Sequence, residues 1–320
     1  MNLLSSARSL VAIIESVIVF FVVLFGTGQT VKIGDYLAGL DDSGVYENAA
    51  RDSLPQTAVY GIIAEHFAKE RGDGKIPKCL IVGYDGARAD ALVYLVGGES
   101  GILEVKNDGG GIYNMFTGGT CFNTQATDTA PGWMSMLTGL WADEHGVPFN
   151  GVIKPMDAPK TIFINLLENE LIQKSAYIVS WSGHFTSANA TYRNEIAYGS
   201  ANSLNAEWIT MDNDAGTFNR TKNEILNING ADIIMCILEH CDSAGHGSGF
   251  GNQNPEYIKA FRNSDHNAYE LIQALKSRPS YDGEDWLIVL ASDHGGAGYG
   301  HGTQFSVARQ VFLAVNKPIQ

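Results

Sequence analysis

The sequence predicts an α/β fold, a doubly wound and mostly parallel sheet flanked by helices, and two observations predict it. Three short apolar runs, Cys79–Tyr84, Ile233–Leu238 and Leu287–Ala291, each end in a charged cluster. The clusters are Asp85-Gly86, the run EHCDSAGH at 239–246, and Ser292-Asp293-His294-Gly295-Gly296. Segments with helical spacing lie between them, at 87–96, 161–170, 218–228 and 255–275. Continuous apolar runs bounded by turns are the pattern of strands buried on both faces. Alternation with helices puts such strands in one parallel sheet, whose sites form beyond the carboxyl ends of the strands. All three clusters fall there.

Composition agrees and narrows the partners. The chain has 320 residues, 45% of them hydrophobic, and 36 glycines, enough to bury a sizeable core. A net charge of −14 argues against an extended nucleic-acid partner, which is gripped by Lys and Arg. A small phosphorylated substrate is compatible with it.

Taken in order, the chain opens on Leu10–Phe25, an apolar run broken only by Glu15 and Ser16. With Gly26 it reaches the lower limit for a membrane-spanning helix, about 17 residues. A cleaved signal peptide with its apolar region at Val17–Phe25 is the competing reading of residues 1–26. Either one exports the rest of the chain, so the expectation is a membrane-anchored protein with an extracytoplasmic catalytic domain, or a secreted one. The stretch Thr57–Lys69 has helical spacing, and residues 27–78 as a whole read as a spacer before a catalytic domain at 79–320. Of the four cysteines, none forms a CxxC, and Cys79 and Cys236 sit within strand-like runs as small hydrophobes. His184 follows the strand-like run Ala176–Trp181 and is a candidate for the cleft wall. On the helix after Pro255, Ile258, Phe261, Ala268, Ile272 and Leu275 form an inward stripe that includes Asp265. An inward carboxylate needs a donor, either a metal-ligand histidine or a backbone N–H.

The central stretch is Thr127–Asn150. Pro131 suits the first turn of a helix, the apolar run from Trp133 to Leu137 continues it, and Gly139 stops it. Thr129 therefore stands at a helix N-terminus, where backbone N–H groups and the helix dipole favour an alkoxide or a phosphate oxygen. Around it the strand-end clusters supply Asp85, Asp242, His246, Asp293, His294 and, a little later, His301. Three adjacent carboxylates repel one another unless cations are present, and a mixed His/Asp set suits Zn²⁺.

The motifs GYDGARAD at 83–90, TAPGWMSMLTGLWADEHGV at 129–147, DSAGHGSG at 242–249, ASDHGG at 291–296 and GHG at 300–302 together resemble the alkaline phosphatase superfamily. The resemblance is strongest to its type I phosphodiesterase/nucleotide pyrophosphatase branch, and it covers about Lys78 to Pro318. It implies an alkaline-phosphatase-like fold and two divalent metal ions, with zinc the best fit. Asp242, His246 and His301 then match the ligands of one ion; Asp85, Asp293, His294 and the Thr129 oxygen match those of the other. Thr129 matches the nucleophile, and Asn150 the residue whose amide binds a non-bridging phosphate oxygen. His145 falls at a structural position. The branch commonly follows its Thr with an aromatic and then Pro-Asn-His, whereas this chain has Ala130-Pro131-Gly132-Trp133. The resemblance thus lacks the aromatic that would stack on a leaving nucleoside. Sulfatases of the superfamily need Arg where Trp133 stands, so formylglycine chemistry is not expected.

The implied activity is hydrolysis of a phosphoester, a diester by preference, through a phosphothreonine on Thr129. Two alternatives share the ligand set: a membrane-tethered transferase of phospho-head-groups with the same covalent intermediate, and a metal-stabilised module without turnover.

Overall fold

The computed structural model describes residues 53–120 and 125–319. The hydrophobic segment at 1–26 and Cys121 lie outside the described residues. Among the described residues, no helix is long and apolar enough to cross a membrane.

The strands are β1 (Leu54–Pro55), β2 (Ile76–Tyr84), β3 (Gly111–Phe116), β4 (Ser175–Val179), β5 (Ala206–Thr210), β6 (Ile233–Leu238), β7 (Glu284–Ala291) and β8 (Gln310–Val315). They form one sheet in the order β1-β3-β8-β7-β2-β6-β4-β5. Only β8 runs antiparallel to its neighbours; the other pairings are parallel. The helices are α1 (Ala58–Ala68), α2 (Gly101–Asn107), α3 (Thr129–Thr138), α4 (Ala142–His145), α5 (Ile162–Glu168), α6 (Arg193–Ala201), α7 (Asp214–Leu226), α8 (His240–Ser248), α9 (Pro255–Lys276) and α10 (Ser306–Arg309).

The period of two along each strand divides the core into two layers. Cys79 and Ile81 of β2, Ile233, Met235 and Ile237 of β6, and Leu287 and Val289 of β7 face α1, α3 and α5. Leu80, Val82 and Tyr84 with Ile234, Cys236, Ile288 and Leu290 face the other way, onto α2 and α9. Both faces are covered, which is why these strands read as unbroken apolar runs. Strands β7, β2 and β6 are adjacent and in register, with Cys79 opposite both Ile233 and Leu287. Their carboxyl ends, and the three charged clusters, therefore lie side by side.

Helix α9 buries the predicted stripe, and Asp265 with it, only 4% exposed. Asp265 Oδ1 accepts from the backbone N–H of Ile102, 2.9 Å, and from the Tyr84 hydroxyl, 3.1 Å. The donor is thus a backbone group and a tyrosine, not a metal-ligand histidine. Burial pushes this carboxyl up, against the pull of its donors. From the same helix, Tyr257 Oη donates to Gly86 O at 2.6 Å and accepts from Arg88 N at 2.9 Å. Helix α9 so grips β2 on both sides of Asp85.

Several elements carry no clear signal in the sequence. Strand β5 is an edge strand whose residues are only partly buried, and β3 includes the exposed Asn114. Helix α8 contains Gly245 and Gly247 in a run that reads as a loop. The segment predicted as a helix at 87–96 is a 3₁₀ turn over Ala89–Tyr94. From residue 53 onward, the stretch anticipated as a spacer is built into the fold. Strand β1 pairs with β3, α1 buries Val59, Ile63 and Phe67, and Gln56 Nε2 donates to Asp293 O at 2.8 Å.

Gly83 is the last residue but one of β2, where a side chain would fill the place of the Trp133 indole. A Cβ there would lie 2.5 Å from Trp133 Cη2 and 2.8 Å from Cζ2. Overpacking a dense core costs about 1–3 kcal/mol. Gly83→Ala is expected to lower the urea midpoint by that equivalent with little change in slope. A wild-type midpoint would show that Trp133 is free to move aside.

Candidate metal centre and active site

Six charged side chains meet at the ends of β2, β6 and β7. Asp85 follows β2 directly and is fully buried, as are Asp293 and His294 after β7. Asp242 and His246 lie four residues apart on α8, hence on one face of it. The loop after β7 returns His301 beside them, its ring 4.2 Å from that of His294 and 5.0 Å from that of His246, centroid to centroid.

Two groups of ligating atoms result, each within 4.8 Å of one another: Asp242, His246 and His301, and Asp85, Asp242 and His294. The first is the set inferred from sequence. The second differs in that Asp242 faces both groups, whereas Asp293 stands beside it. Asp293 Oδ1 accepts from Gly86 N at 3.2 Å, and its Oδ2 lies 3.5 Å from His294 Nε2.

Thr129 begins α3, and its hydroxyl is 3.4 Å from Asp85 Oδ1 and 3.3 Å from His294 Nε2. Asn150 is brought to the same helix end, where its Oδ1 accepts from Ala130 N at 2.8 Å. The helix start is less open than its sequence suggests. Ala130 N–H is held by Asn150, Pro131 has no N–H, and Gly132 N donates to Asp128 O at 3.0 Å. Of the N–H groups that a helix start leaves without an intrahelical partner, that of Ala130 is therefore engaged and that of Pro131 is missing, while Gly132 makes the first ordinary bond of the helix. The Asn150 carbonyl faces a donor, which leaves its amide NH₂, beside the Thr129 N–H, as a candidate donor to an oxyanion.

The donor set fits divalent cations. Asp242 Oδ1 and Asp293 Oδ2 are buried with no hydrogen-bond partner, and an imidazole Nε2 lies 3.6 and 3.5 Å from them, respectively. Burial, and then the charge of Asp85, pushes the Asp293 and Asp242 carboxyls up. Burial would depress His294, yet Asp293 and Asp85 drive its imidazole well above the ordinary value. Burial also opposes ionisation of Asp85, but hydrogen bonds from His294 and Trp133 hold it below its usual range. Glu239, with Oε1 buried and unpartnered, adds a fourth carboxyl that burial and Asp85 push well up. Negative charge is in excess here, and a buried carboxylate without a partner is unfavourable unless a cation or proton meets it.

Neighbouring residues orient the ligands. Trp133 Nε1 donates to Asp85 Oδ2 at 3.2 Å, leaving Oδ1 toward Thr129 and His294. His246 Nδ1 meets Tyr299 O at 2.9 Å, and His294 Nδ1 meets Gly295 O at 2.8 Å, so each presents Nε2 to the site. Phe250 is a wedge under the first group. Its ring would clash at 2.5 Å with a Cβ on either Gly245 or Gly296, and it packs edge-on to His246. The sequence reading missed Trp133, Phe250 and also Asp128, which holds His301 Nδ1 at 2.8 Å. Only Trp133 left a signal, since a buried indole N–H requires an acceptor.

Other histidines serve the fold. His145 is buried, takes Val147 N on Nδ1 and is lowered to about 3 by burial. His184 is enclosed by Tyr177, Trp181, Phe185 and Tyr192 and does not line a cleft. Burial lowers it to about 4. The thiols of Cys79, Cys236 and Cys241 are buried, and burial raises each of them.

With this geometry in view, the comparison with known families is decisive. The family model for type I phosphodiesterase / nucleotide pyrophosphatase matches residues 79–305. The chain belongs to that family. No curated protein matches it in sequence. Among solved structures it is similar to the 2-O GAG sulfatase BT1596, with 14% identity, 77% of this chain and 66% of that one covered, and a TM-score of 0.50. Murine ectonucleotide pyrophosphatase / phosphodiesterase 5, as an inactive variant in complex with AMP, shows 18% identity and a TM-score of 0.48. That match covers 68% of this chain and 57% of the murine one, so the chain spans little more than half of that relative's length. Alkaline phosphatase from the Antarctic bacterium TAB5 shows 15% identity over 75% of this chain and 91% of that one, with a TM-score of 0.48. The mixed α/β architecture with its large sheet accords with an alkaline-phosphatase-like fold.

The two ligand groups are separable by mutation. His246→Ala is expected to remove one divalent ion per chain, measured by elemental analysis, and to leave the other. Phe250→Ala should weaken the same ion by about 10–100-fold, the usual effect of losing a residue that orients a ligand. Loss of both ions together from either variant would contradict two groups of ligands.

Proposed function

We propose that this chain is an exported, zinc-dependent phosphodiesterase that works through a phosphothreonine on Thr129. The observation that carries the reading is the Thr129 hydroxyl at the start of α3, within 3.4 Å of both Asp85 and His294. Family membership supports a hydrolase of phosphoester bonds. In this reading residues 1–26 anchor or export the chain, and the catalytic unit takes in the fold from residue 53 onward, β1 and α1 included.

Asp242, His246 and His301 would hold one cation, and Asp85, His294 and Asp293, with Asp242 near both, the other. Bound there, divalent zinc supplies Lewis acidity, lowering the pKa of a hydroxyl and offsetting charge on phosphate oxygens. Thr129 gives up its proton to solvent and its Oγ1 forms a bond to phosphorus. The bond from phosphorus to the leaving alcohol breaks, and that oxygen takes a proton from solvent. Asn150 Nδ2 donates to a non-bridging oxygen as charge builds. Water then attacks phosphorus, the Thr129–phosphorus bond breaks, and the proton that the water gives up returns to the threonine oxygen.

Thr129→Ala is expected to lower kcat at least about 1,000-fold while two equivalents of zinc remain, since the carboxylates and imidazoles are untouched. An alanine variant with a tenth of the wild-type rate would show that another nucleophile acts. Running the assay with an added alcohol acceptor separates hydrolysis from transfer.

The substrate class follows from cations that are already engaged. A monoester dianion carries one more charge than a diester and calls for a further cation. Arg88 is 2% exposed, its Nε donates to Asp90 Oδ1 at 3.0 Å, and it reaches Gly296 O at 3.4 Å. Lys154 is buried against Glu195 at 3.1 Å. The neutral amide of Asn150 suits a singly charged diester. The ratio of kcat/KM for an aryl methyl phosphodiester over the matching aryl monoester should exceed one by at least about tenfold, a difference of 1.4 kcal/mol. A ratio below one would count against the diester assignment.

A further inference from the structure

Asp128, immediately before the nucleophile, is placed where an Asp ordinarily caps its own helix by accepting an N–H of the first turn. It makes no such bond. Its two oxygens reach in different directions instead. Oδ1 receives Nδ1–H of His301 at 2.8 Å, and Oδ2 receives the backbone N–H of Asn150 at 3.2 Å. The cap that Asp128 gives up is supplied from outside the helix by Asn150, whose Oδ1 takes Ala130 N–H.

Both contacts bear on the site. A histidine that donates through Nδ1 has its lone pair on Nε2, and Nε2 of His301 points at Asp242, 3.6 Å from Oδ1. On the other side, the segment entering Asn150 is tethered by the same carboxylate. The side chain is 16% exposed, so solvent competes little for it.

We infer that Asp128 is a positioning residue that couples the cation site of Asp242, His246 and His301 to the oxyanion-binding amide of Asn150. The inference rests on the metal-centre reading above and adds a link between its two halves. With His301 held by a cation, Asp128 is fixed, and Asn150 is seated against α3. By reciprocity an oxyanion held at Asn150 tightens the same cation.

The test uses calorimetry with two probes, zinc titrated into chelated protein and inorganic phosphate titrated into zinc-loaded protein. The chains compared are wild type, Asp128→Ala, Asp128→Asn, Asn150→Ala and the double variant of Asp128→Ala with Asn150→Ala. Asp128→Ala should weaken one zinc about 10–100-fold and leave the other unchanged. At saturating zinc it should also weaken phosphate, and its loss and that of Asn150→Ala should not multiply in the double variant. Asp128→Asn, which keeps the shape and one acceptor, should fall between wild type and alanine on both probes. A residue that merely supported the fold would lower both zinc affinities alike and combine independently with Asn150→Ala. Either result, or wild-type zinc affinity in Asp128→Ala, overturns the coupling. Failure of the wild-type chain itself to bind zinc sinks the metal-centre reading, and the coupling with it, so the two failures are told apart.

Discussion

Mutual repulsion among buried carboxylates is the constraint on which this structure turns. Asp85, Asp242 and Asp293 stand at the ends of three adjacent strands, within one cluster that also takes in Glu239. No arrangement of the backbone relieves that repulsion, because the register of β2 with β6 and β7 fixes where the side chains begin. What offsets it is the set of imidazoles, and divalent charge fits the rest. Everything nearby serves to hold the ligands against their own tendency to separate. Tyr257 and Asp265 brace the β2 end from α9, Trp133 takes one Asp85 oxygen, and Phe250 fills the space under His246.

Much of this was legible in the sequence, for reasons that can be stated. Buried parallel strands are apolar on both faces, so β2, β6 and β7 announce themselves, and ligands at their ends follow by topology. The residues that were not legible act through geometry instead of composition. Asp128 looks like any helix cap, and nothing in TDTAPG shows that its oxygens turn to His301 and to a loop some twenty positions on. Phe250 looks like one more apolar residue, and its meaning rests on two glycines, Gly245 and Gly296, far apart in sequence. Strand β8 escaped notice because an antiparallel strand among parallel ones cannot be read from alternation. The share of Asp242 between the two ligand groups is likewise a matter of distances, which a motif does not carry.

The helix at Thr129 shows how a plausible local argument gives way to a tertiary one. A helix N-terminus is a general anion site because its first N–H groups lack partners. Here Asn150 satisfies that of Ala130, and Pro131 has none to offer. The dipole remains, and in the proposed function the Asn150 amide joins the Thr129 N–H as a donor to an oxyanion. That arrangement has an energetic consequence. A capped helix start is rigid, and the carbonyl bound to Ala130 N–H holds the amide in one orientation. The donor is thereby set before any substrate arrives, which is the condition under which electrostatic stabilisation of a developing charge is most effective.

The same economy of donors sets the charge that the site can accept. Between Lys106 and Lys154 the chain has no Lys or Arg, and Arg88 and Lys154 are held by carboxylates. Arg88 is held twice over, since its side chain also fills the space beside Gly295, where a Cβ would meet its Cγ at 2.9 Å. Freeing it for a phosphate would leave Asp90 without its partner and open the packing between the β2 and β7 loops. A buried arginine with two such tasks is a structural cation. In the proposed function positive charge for the substrate would then come from the divalent ions alone, held among three carboxylates. With so little in reserve, the proposed function matches the site to a phosphorus centre bearing a single negative charge.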